Sequence, residues 1–413
     1  MKFLLSLAWK NLFRYKKRTI ITCIAIAVGI AIFIWVDGFM MGFEKDSDKN
    51  LIAYETGSAQ IIYTKYMDEK DYLPLKYTVK EPDEILSILK KNSIPATKRV
   101  TFGGEIFFGT GTKQMKIFAI DTETVNRVYD LDNDILYIKN SRRLAPGGYD
   151  IILGEWLAED LGIKLNNTVE IRTRTKYGAY TTLALNVAGI INTENPVVNK
   201  ICGFIPLDVA DAALQMEGEV TEIAVRFNEW ENIDKEVERV NGLISQEYPD
   251  LVTKSYIDLF GAGALMESKR SIISVMIFLV FVIAAVGISN TMLIAVFERI
   301  REIGMMRAMG MKDSGIRITF MFEAAGIGLF GSIFGLILGS LLNAYTYFIG
   351  FDISGLIGRM EFGYRMINIF RSTWNPGTMV LAFLLGPIIA IFISFLPSSK
   401  ALKMEVTECL RYQ

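Results

Sequence analysis

Four stretches of this chain carry no charged residue and are long enough to cross a bilayer: Thr19–Val36, Ser271–Phe297, Ala324–Phe351 and Ser372–Ser399. A helix needs about 20 apolar residues to span the hydrocarbon core, whereas helices inside soluble proteins rarely stay charge-free so long. The first stretch continues past Asp37 through Gly38-Phe39-Met40-Met41. It follows the basic run Arg14-Tyr15-Lys16-Lys17-Arg18 and contains a small-residue triplet at Ala25–Ala27. Because its apolar run continues well beyond that triplet, it reads as an uncleaved anchor and not as a cleaved signal peptide. The residues ahead of Cys23 are a poor lipidation signal.

Composition agrees. Apolar residues make up 51% of the chain, charged residues 22%, and the mean hydropathy is +0.31, which excludes disorder. The 44 basic residues balance 45 acidic ones, so no basic excess speaks for nucleic acid. Histidine is absent, which removes His bases, His metal ligands and Ser-His or Cys-His pairs together. Cys23, Cys202 and Cys409 are too dispersed for a thiolate metal cluster and are expected as free thiols. No catalytic and no metal residues are assigned.

Lys and Arg near the helix ends set orientation. Lys10, Arg14, Lys16, Lys17 and Arg18 precede the first helix, and Arg299, Arg301, Arg307, Lys312 and Arg317 lie between the second and third. Lys400, Lys403 and Arg411 follow the fourth, so both termini are expected in the cytoplasm of a multi-pass inner-membrane protein. The fold class expected is an α-helical membrane protein with four transmembrane helices and a large mixed α/β extracytoplasmic domain inserted between helices 1 and 2. The boundaries are a cytoplasmic amphipathic lead-in at 1–18, helix 1 at 19–42, the α/β domain at 43–269 and helix 2 at 271–297. A cytoplasmic loop at 298–316 precedes helix 3 at 317–350, followed by an outer loop at 351–375, helix 4 at 376–397 and a tail at 398–413. Within the insert, Thr168–Arg172 alternates as a half-buried strand, and Leu183–Ile191 reads as another. Ile233, Val237, Val240 and Ile244 recur at helical spacing, and Pro82 fits a first helical position ahead of Ile85, Leu86 and Leu89. An insert of this size buries its own core, in two lobes.

No Gly-Lys dipeptide occurs, so the chain holds no Walker-type phosphate loop. Gly103-Gly104 and Gly109-Thr110-Gly111 read as turns. The loop Glu298-Arg299-Ile300-Arg301-Glu302-Ile303-Gly304-Met305-Met306-Arg307-Ala308-Met309-Gly310 interleaves charge and apolar residues as a short surface helix does. Ile303, Met306 and Met309 form its stripe, Gly310 its stop, and Asp313 or Ser314 caps the next helix. On physics alone the favoured reading is a solvated positive-inside loop. Gly331, Gly335 and Gly339 lie four apart on one helix face, which permits close backbone approach. Glu323, about two turns into helix 3, reads as a proton relay or as a structural partner of Arg301, Arg307 or Arg317. Asp37 is placed at the outer interface, where it costs little.

The loop at 298–310 resembles the E-R-x-R-E-I-G-x-x-R-A-x-G signature of the FtsX/MacB-like ABC permease family. The tail Leu396–Tyr412 resembles that family's closing segment, with Ser398, Val406 and Cys409 as departures. Trp9–Thr19 is similar to its amphipathic lead-in, and Ile152–Gly162 to a strand–helix unit of its outer domain. The resemblance implies that the loop is a coupling helix docking on a separate ATPase, through Glu298, Arg299, Arg301, Glu302, Gly304, Met306, Arg307, Met309 and Gly310. It implies no directly bound cofactor, with ATP and Mg handled by a cytoplasmic ABC ATPase dimer, and a second permease subunit, identical or homologous. Length, and the run from Gly38 to Ile61, are most like the lipoprotein-releasing (LolC/LolE-type) permeases, which implies a lipoprotein or other hydrophobic cargo and a periplasmic carrier. One departure is the short turn at Arg174–Tyr180, where the chaperone-contacting member carries a protruding hairpin. The alternatives are efflux of peptides or hydrophobic small molecules, and a non-transporting, ATPase-driven regulator of an outer hydrolase.

Overall fold

The computed structural model describes residues 16–131, 141–228, 232–260, 299–352 and 369–401, with scattered positions between 271 and 298 and Cys409. The chain divides into a helical unit and an α/β unit, with a boundary between Phe43 and Glu44.

The helical unit starts with α1, Lys16–Leu51, a single helix of 36 residues. At 1.5 Å per residue it is about 54 Å long, well beyond the hydrocarbon thickness. It runs farther than the expected 19–42, because nothing between Phe43 and Leu51 breaks a helix: the segment has no Gly or Pro. Three helices among the described residues are long and apolar enough to cross a membrane: Thr19–Thr56, Asp313–Phe348 and Pro376–Phe395. The expected span at 271–297 lies largely outside the described residues, and each of its described positions is helical. The helix expected at 317–350 runs from Asp313 to Phe348, and the one at 376–397 from Pro376 to Ala401.

In the α/β unit, four strands carry one lobe: β1 (Ala59–Tyr63), β2 (Ala96–Phe108), β8 (Glu222–Val225) and β9 (Leu251–Ser255). They pair antiparallel in the order β2-β8-β1-β9, with α2 (Pro82–Lys91) between β1 and β2 and α6 (Ile233–Ile244) between β8 and β9. This is a split β-α-β arrangement. Its helices form as the spacing predicts: Pro82 opens α2, with Ile85 and Leu89 buried beneath it, and Ile233, Val240 and Ile244 line the core face of α6.

Inserted between β2 and β8 is the second lobe. It adds β3 (Gly111–Ile120), β4 (Asp150–Gly154), α3 (Glu155–Leu161), β5 (Thr168–Arg174), β6 (Tyr180–Ile191), α4 (Pro196–Ile201), β7 (Cys202–Pro206) and α5 (Leu207–Leu214). Strands β2, β3, β7, β4, β6 and β5 hydrogen-bond in a closed ring, which removes free edges. β5 alternates exposed and buried residues along its whole length, as its sequence predicts.

β2 belongs to both lobes. Its start, Ala96–Arg99, pairs with β8, and Glu105–Phe107 pairs with β5. Gly103 and Gly104 lie between these two partnerships, inside the strand and not in a turn. A Cβ on Gly104 would stand 2.9 Å from Ile117 and 3.0 Å from Ile171, so the missing side chain lets β3 and β5 close on the bend. Gly109, at φ +59°, makes the turn into β3.

A buried polar cluster secures the segment that follows α1. Arg99 is ion-paired with Glu222 and donates to the Glu55 carbonyl, while Asn195 Nδ2 donates to Glu55 Oε1 at 2.8 Å. Thr101 Oγ1 donates to Glu222 at 2.8 Å, and the Arg99 guanidinium lies over the Phe118 and Tyr129 rings. Burial alone would lower the Arg99 pKa, but the Glu222 carboxylate together with Tyr129 and Tyr66 outweighs it and holds the cation above its ordinary range. Cys23, Cys202 and Cys409 are free.

Candidate coupling site

The signature loop folds as α7, Ile300–Ala308, and returns into α8, Asp313–Phe348. Gly310 makes the stop. At φ +90° it donates to the Arg307 carbonyl at 3.0 Å, and Met311 N reaches back to the Met306 carbonyl at 3.0 Å. These two bonds satisfy carbonyls that the helix end would leave open.

Three rungs fasten α7 to α8. At the start, Arg299 Nη1 donates to Glu323 Oε2 at 3.0 Å, with the side chains 4% and 1% exposed. In the middle, Ile303 packs with Ile316 and Phe320, flanked by Met306 and Met311. At the end, Arg307 Nε lies 3.1 Å from Asp313 Oδ1. Positions 299, 303 and 307 are spaced four apart, so one face of the helix meets its neighbour throughout.

Several sequence expectations change here. Glu323 pairs with Arg299, and not with Arg301, Arg307 or Arg317, because Arg299 directly precedes the first turn of α7 and faces α8. Arg299, expected among the docking residues, is consequently buried against α8. Met309 leaves the Ile303–Met306 stripe: it caps the helix and is 80% exposed. Neither Asp313 nor Ser314 caps α8. Lys312 holds that position without a side-chain bond, and Asp313 serves Arg307 instead. Gly304 is buried, Glu302 and Met306 are half-buried, and Glu298, Arg301 and Gly310 are exposed. Met305, 49% exposed, and Met309 line a cleft of about 550 Å³ with Met306, Ile316, Thr319 and Phe320.

Gly331, Gly335 and Gly339 all face α1. A Cβ at these positions would stand 2.8 Å from Ile26, 2.8 Å from Ile30 and 3.0 Å from Ala31. Further close approaches escaped sequence reasoning. Gly328 of α8 meets the backbone of Gly386 in α9 (Pro376–Ala401), where a Cβ would stand 2.7 Å from the Gly386 carbonyl oxygen. Gly38 and Gly42 of α1 take the backbone of Thr373 and Arg371, and Thr373 N donates to the Gly38 carbonyl at 2.8 Å. The four-residue spacing of Gly38 and Gly42 was the available signal, but it suggests a partner helix where an extended segment sits. Asp37 is buried within the protein and accepts from Asn375 Nδ2 at 3.0 Å. Among the described residues no group of His, Cys, Asp and Glu could hold a metal ion.

The FtsX-like permease C-terminal family matches residues 274–406, which contain α7, α8 and α9. An ABC transporter permease of Methanocaldococcus jannaschii is 24% identical over 434 residues, covering 99% of this chain and 97% of that one. The lipoprotein-releasing system transmembrane protein LolC of Neisseria meningitidis serogroup B is 24% identical over 434 residues, covering 98% and 99%. The macrolide export ATP-binding/permease protein MacB of Agrobacterium fabrum is 23% identical over 437 residues, covering 98% of this chain and 60% of MacB. The apolar helices fit a membrane-integral protein, and the matched relatives are permease components of ABC transporters. Residues 274–406 form an FtsX-like permease domain, and the relatives matched over the length of the chain are ABC transporter permeases, LolC and MacB among them. Such permeases work with a cytoplasmic ATPase.

Proposed function

We propose that α7 is the element on which a separate cytoplasmic ABC ATPase dimer docks. ATP-driven movement passes through α8 and α1 to the α/β unit, which acts on a hydrophobic cargo at the outer face of the inner membrane. One observation carries the reading: α7 is held to α8 by three rungs while Met305 and Met309 remain turned outward beside an apolar cleft. Exposed methionines adapt to a partner's pocket, and a fastened helix transmits displacement instead of yielding to it. In this reading both termini are cytoplasmic, a second permease subunit completes the transporter, and ATP and Mg stay on the ATPase.

For the cargo we favour a lipoprotein, with a periplasmic carrier to receive it. The support is the match to LolC over 98% of this chain and 99% of that one. Efflux of peptides or hydrophobic small molecules is the competing reading, and control of an outer hydrolase is the third. The test is purification of the permease with its ATPase, trapped by vanadate, followed by identification of what the α/β unit holds. An acylated protein supports release, and a peptide or drug-like molecule supports efflux. A stably bound hydrolase supports the third reading.

A further inference from the structure

The Arg299–Glu323 pair is the one rung of the α7–α8 ladder in which two full charges are buried together. It stands at the end of α7 farthest from the α7–α8 turn. Near the turn, the short connection and the Met306–Met311 backbone bond already hold the helices. At the far end, only side chains do. A neutral contact there could slide along α8, whereas a guanidinium bonded through Nη1 to a buried carboxylate fixes one register, because a slip leaves both charges unpaired in a desolvated place. Displacing Arg299 by one turn along α8 would set it against Thr319 or Ile327 in place of Glu323, and neither can replace a carboxylate.

We propose that Arg299 and Glu323 are positioning residues for transmission: they hold the start of α7 to α8, so that a push received on Met305 and Met309 displaces α8 instead of peeling α7 away. This rests on the docking reading above and adds to it which residues bear the load. Neither side chain touches the ATPase, since both are buried against each other. The pair therefore separates docking from response. Breaking it leaves the outward methionines in place and removes the rigid connection behind them.

The test uses the full-length permease in lipid nanodiscs with its ATPase, and measures ATPase affinity and permease-stimulated turnover separately. Glu323→Gln and Arg299→Lys should bind the ATPase within about threefold of wild type, while stimulated kcat falls at least tenfold. The exchange Arg299→Glu with Glu323→Arg should recover a substantial part of that loss. Should Glu323→Gln fail to insert, Arg299→Lys, which keeps the charge and loses the reach and planar shape of the guanidinium, decides by the same split. Unchanged stimulated kcat in a folded single variant overturns the proposal, as does a fall in kcat matched by an equal fall in affinity. A wild-type permease that neither binds nor stimulates the ATPase overturns the docking reading itself. Normal wild-type coupling with an indifferent Glu323→Gln overturns this inference alone.

Discussion

A side-chain carbon on Gly335 would stand 2.8 Å from the Cβ of Ile30 and 2.9 Å from the Ala27 carbonyl oxygen, closer than packed atoms allow. The absent side chain therefore sets the distance between α8 and α1. Lipid offers helices no hydrophobic drive to associate, so contact at this distance is what holds them. Gly335→Leu should push the helices apart, at a cost of about 1–3 kcal/mol or more for overpacking. The variant should lose detergent-resistant assembly and stimulated ATP turnover, while circular dichroism retains the strand signal of the α/β unit. A wild-type profile on native gels with full turnover would show that the contact is incidental.

The docking surface makes a second expectation. Arg307 is tied to Asp313, so Arg307→Glu sets two carboxylates together at the α7–α8 turn besides altering the surface, and repulsion there is internal to the permease. The cleaner probes are Met305→Glu and Met309→Glu, whose side chains are turned outward. Each places a charge in an interface core, a change that commonly costs several kcal/mol and lowers affinity by orders of magnitude. Pull-down of the ATPase should fail for both, while Arg371→Glu in the outer loop leaves it intact. Normal pull-down by both methionine variants would move the docking surface elsewhere.

Sequence periodicity made the local elements legible where one face is buried. The alternation in Thr168–Arg174 and the helical spacing of Ile233, Val240 and Ile244 follow directly from which side must meet a core. The glycine face of α8 was legible for the same reason, because Gly331, Gly335 and Gly339 share one side. Pairings between distant segments were not. Choosing Arg299 as the partner of Glu323 requires the register of the α7–α8 hairpin, which residue spacing within either helix does not carry. Gly103 and Gly104 looked like a turn, since a strand that changes partners midway has no signature beyond the glycines that let it bend. The burial of Asp37 depends on Asn375, brought beside it only by tertiary structure.

Gly310 supports a third expectation. At φ +90° an L side chain is strained, so Gly310→Ala should cost about 1–2 kcal/mol locally. The stop bonds at Met306 and Arg307 would weaken, and the amides of Gly310 and Met311 should exchange faster with solvent hydrogen. If helix order is needed for docking, ATPase affinity should fall by roughly five- to thirtyfold, a fold-change corresponding to that energy. Unchanged exchange at Met311 would mean that the turn tolerates the residue.

Orientation is tested by accessibility. Tyr177 is 64% exposed in the β5–β6 hairpin, and Met309 is 80% exposed after α7. Single cysteines at these two positions, in a background lacking Cys23, Cys202 and Cys409, should react from opposite sides of the membrane with an impermeant thiol reagent. Tyr177→Cys should label in intact cells, and Met309→Cys only after lysis. Labelling of both from outside would reverse the proposed topology, because the positive-inside clusters would then lie on the wrong face.

The β5–β6 hairpin makes the last expectation, through pH. Lys176 Nζ donates to Glu219 Oε2 at 2.7 Å, and Thr78 donates to the same oxygen. Burial acts to raise the Glu219 pKa, but the Lys176 and Thr78 hydrogen bonds outweigh it and hold the carboxyl below its ordinary 4.5. A carboxyl held low in the folded state stabilises the fold fully above the unfolded value, and that contribution disappears as pH falls through the lowered one. Glu219→Gln should therefore destabilise the α/β unit near neutral pH, by about 1.5–3 kcal/mol for hydrogen bonds to a charged group. That corresponds to a melting temperature lower by roughly 3–12 °C for a unit of this size. As pH falls through the lowered value, where the wild-type carboxyl protonates as well, the two melting curves should converge. Lys176→Met should show the same pH dependence, because it removes the partner that keeps the carboxyl ionised. A Glu219→Gln deficit that persists undiminished into acid would show that its packing, and not its charge, holds the hairpin to the segment ahead of β8.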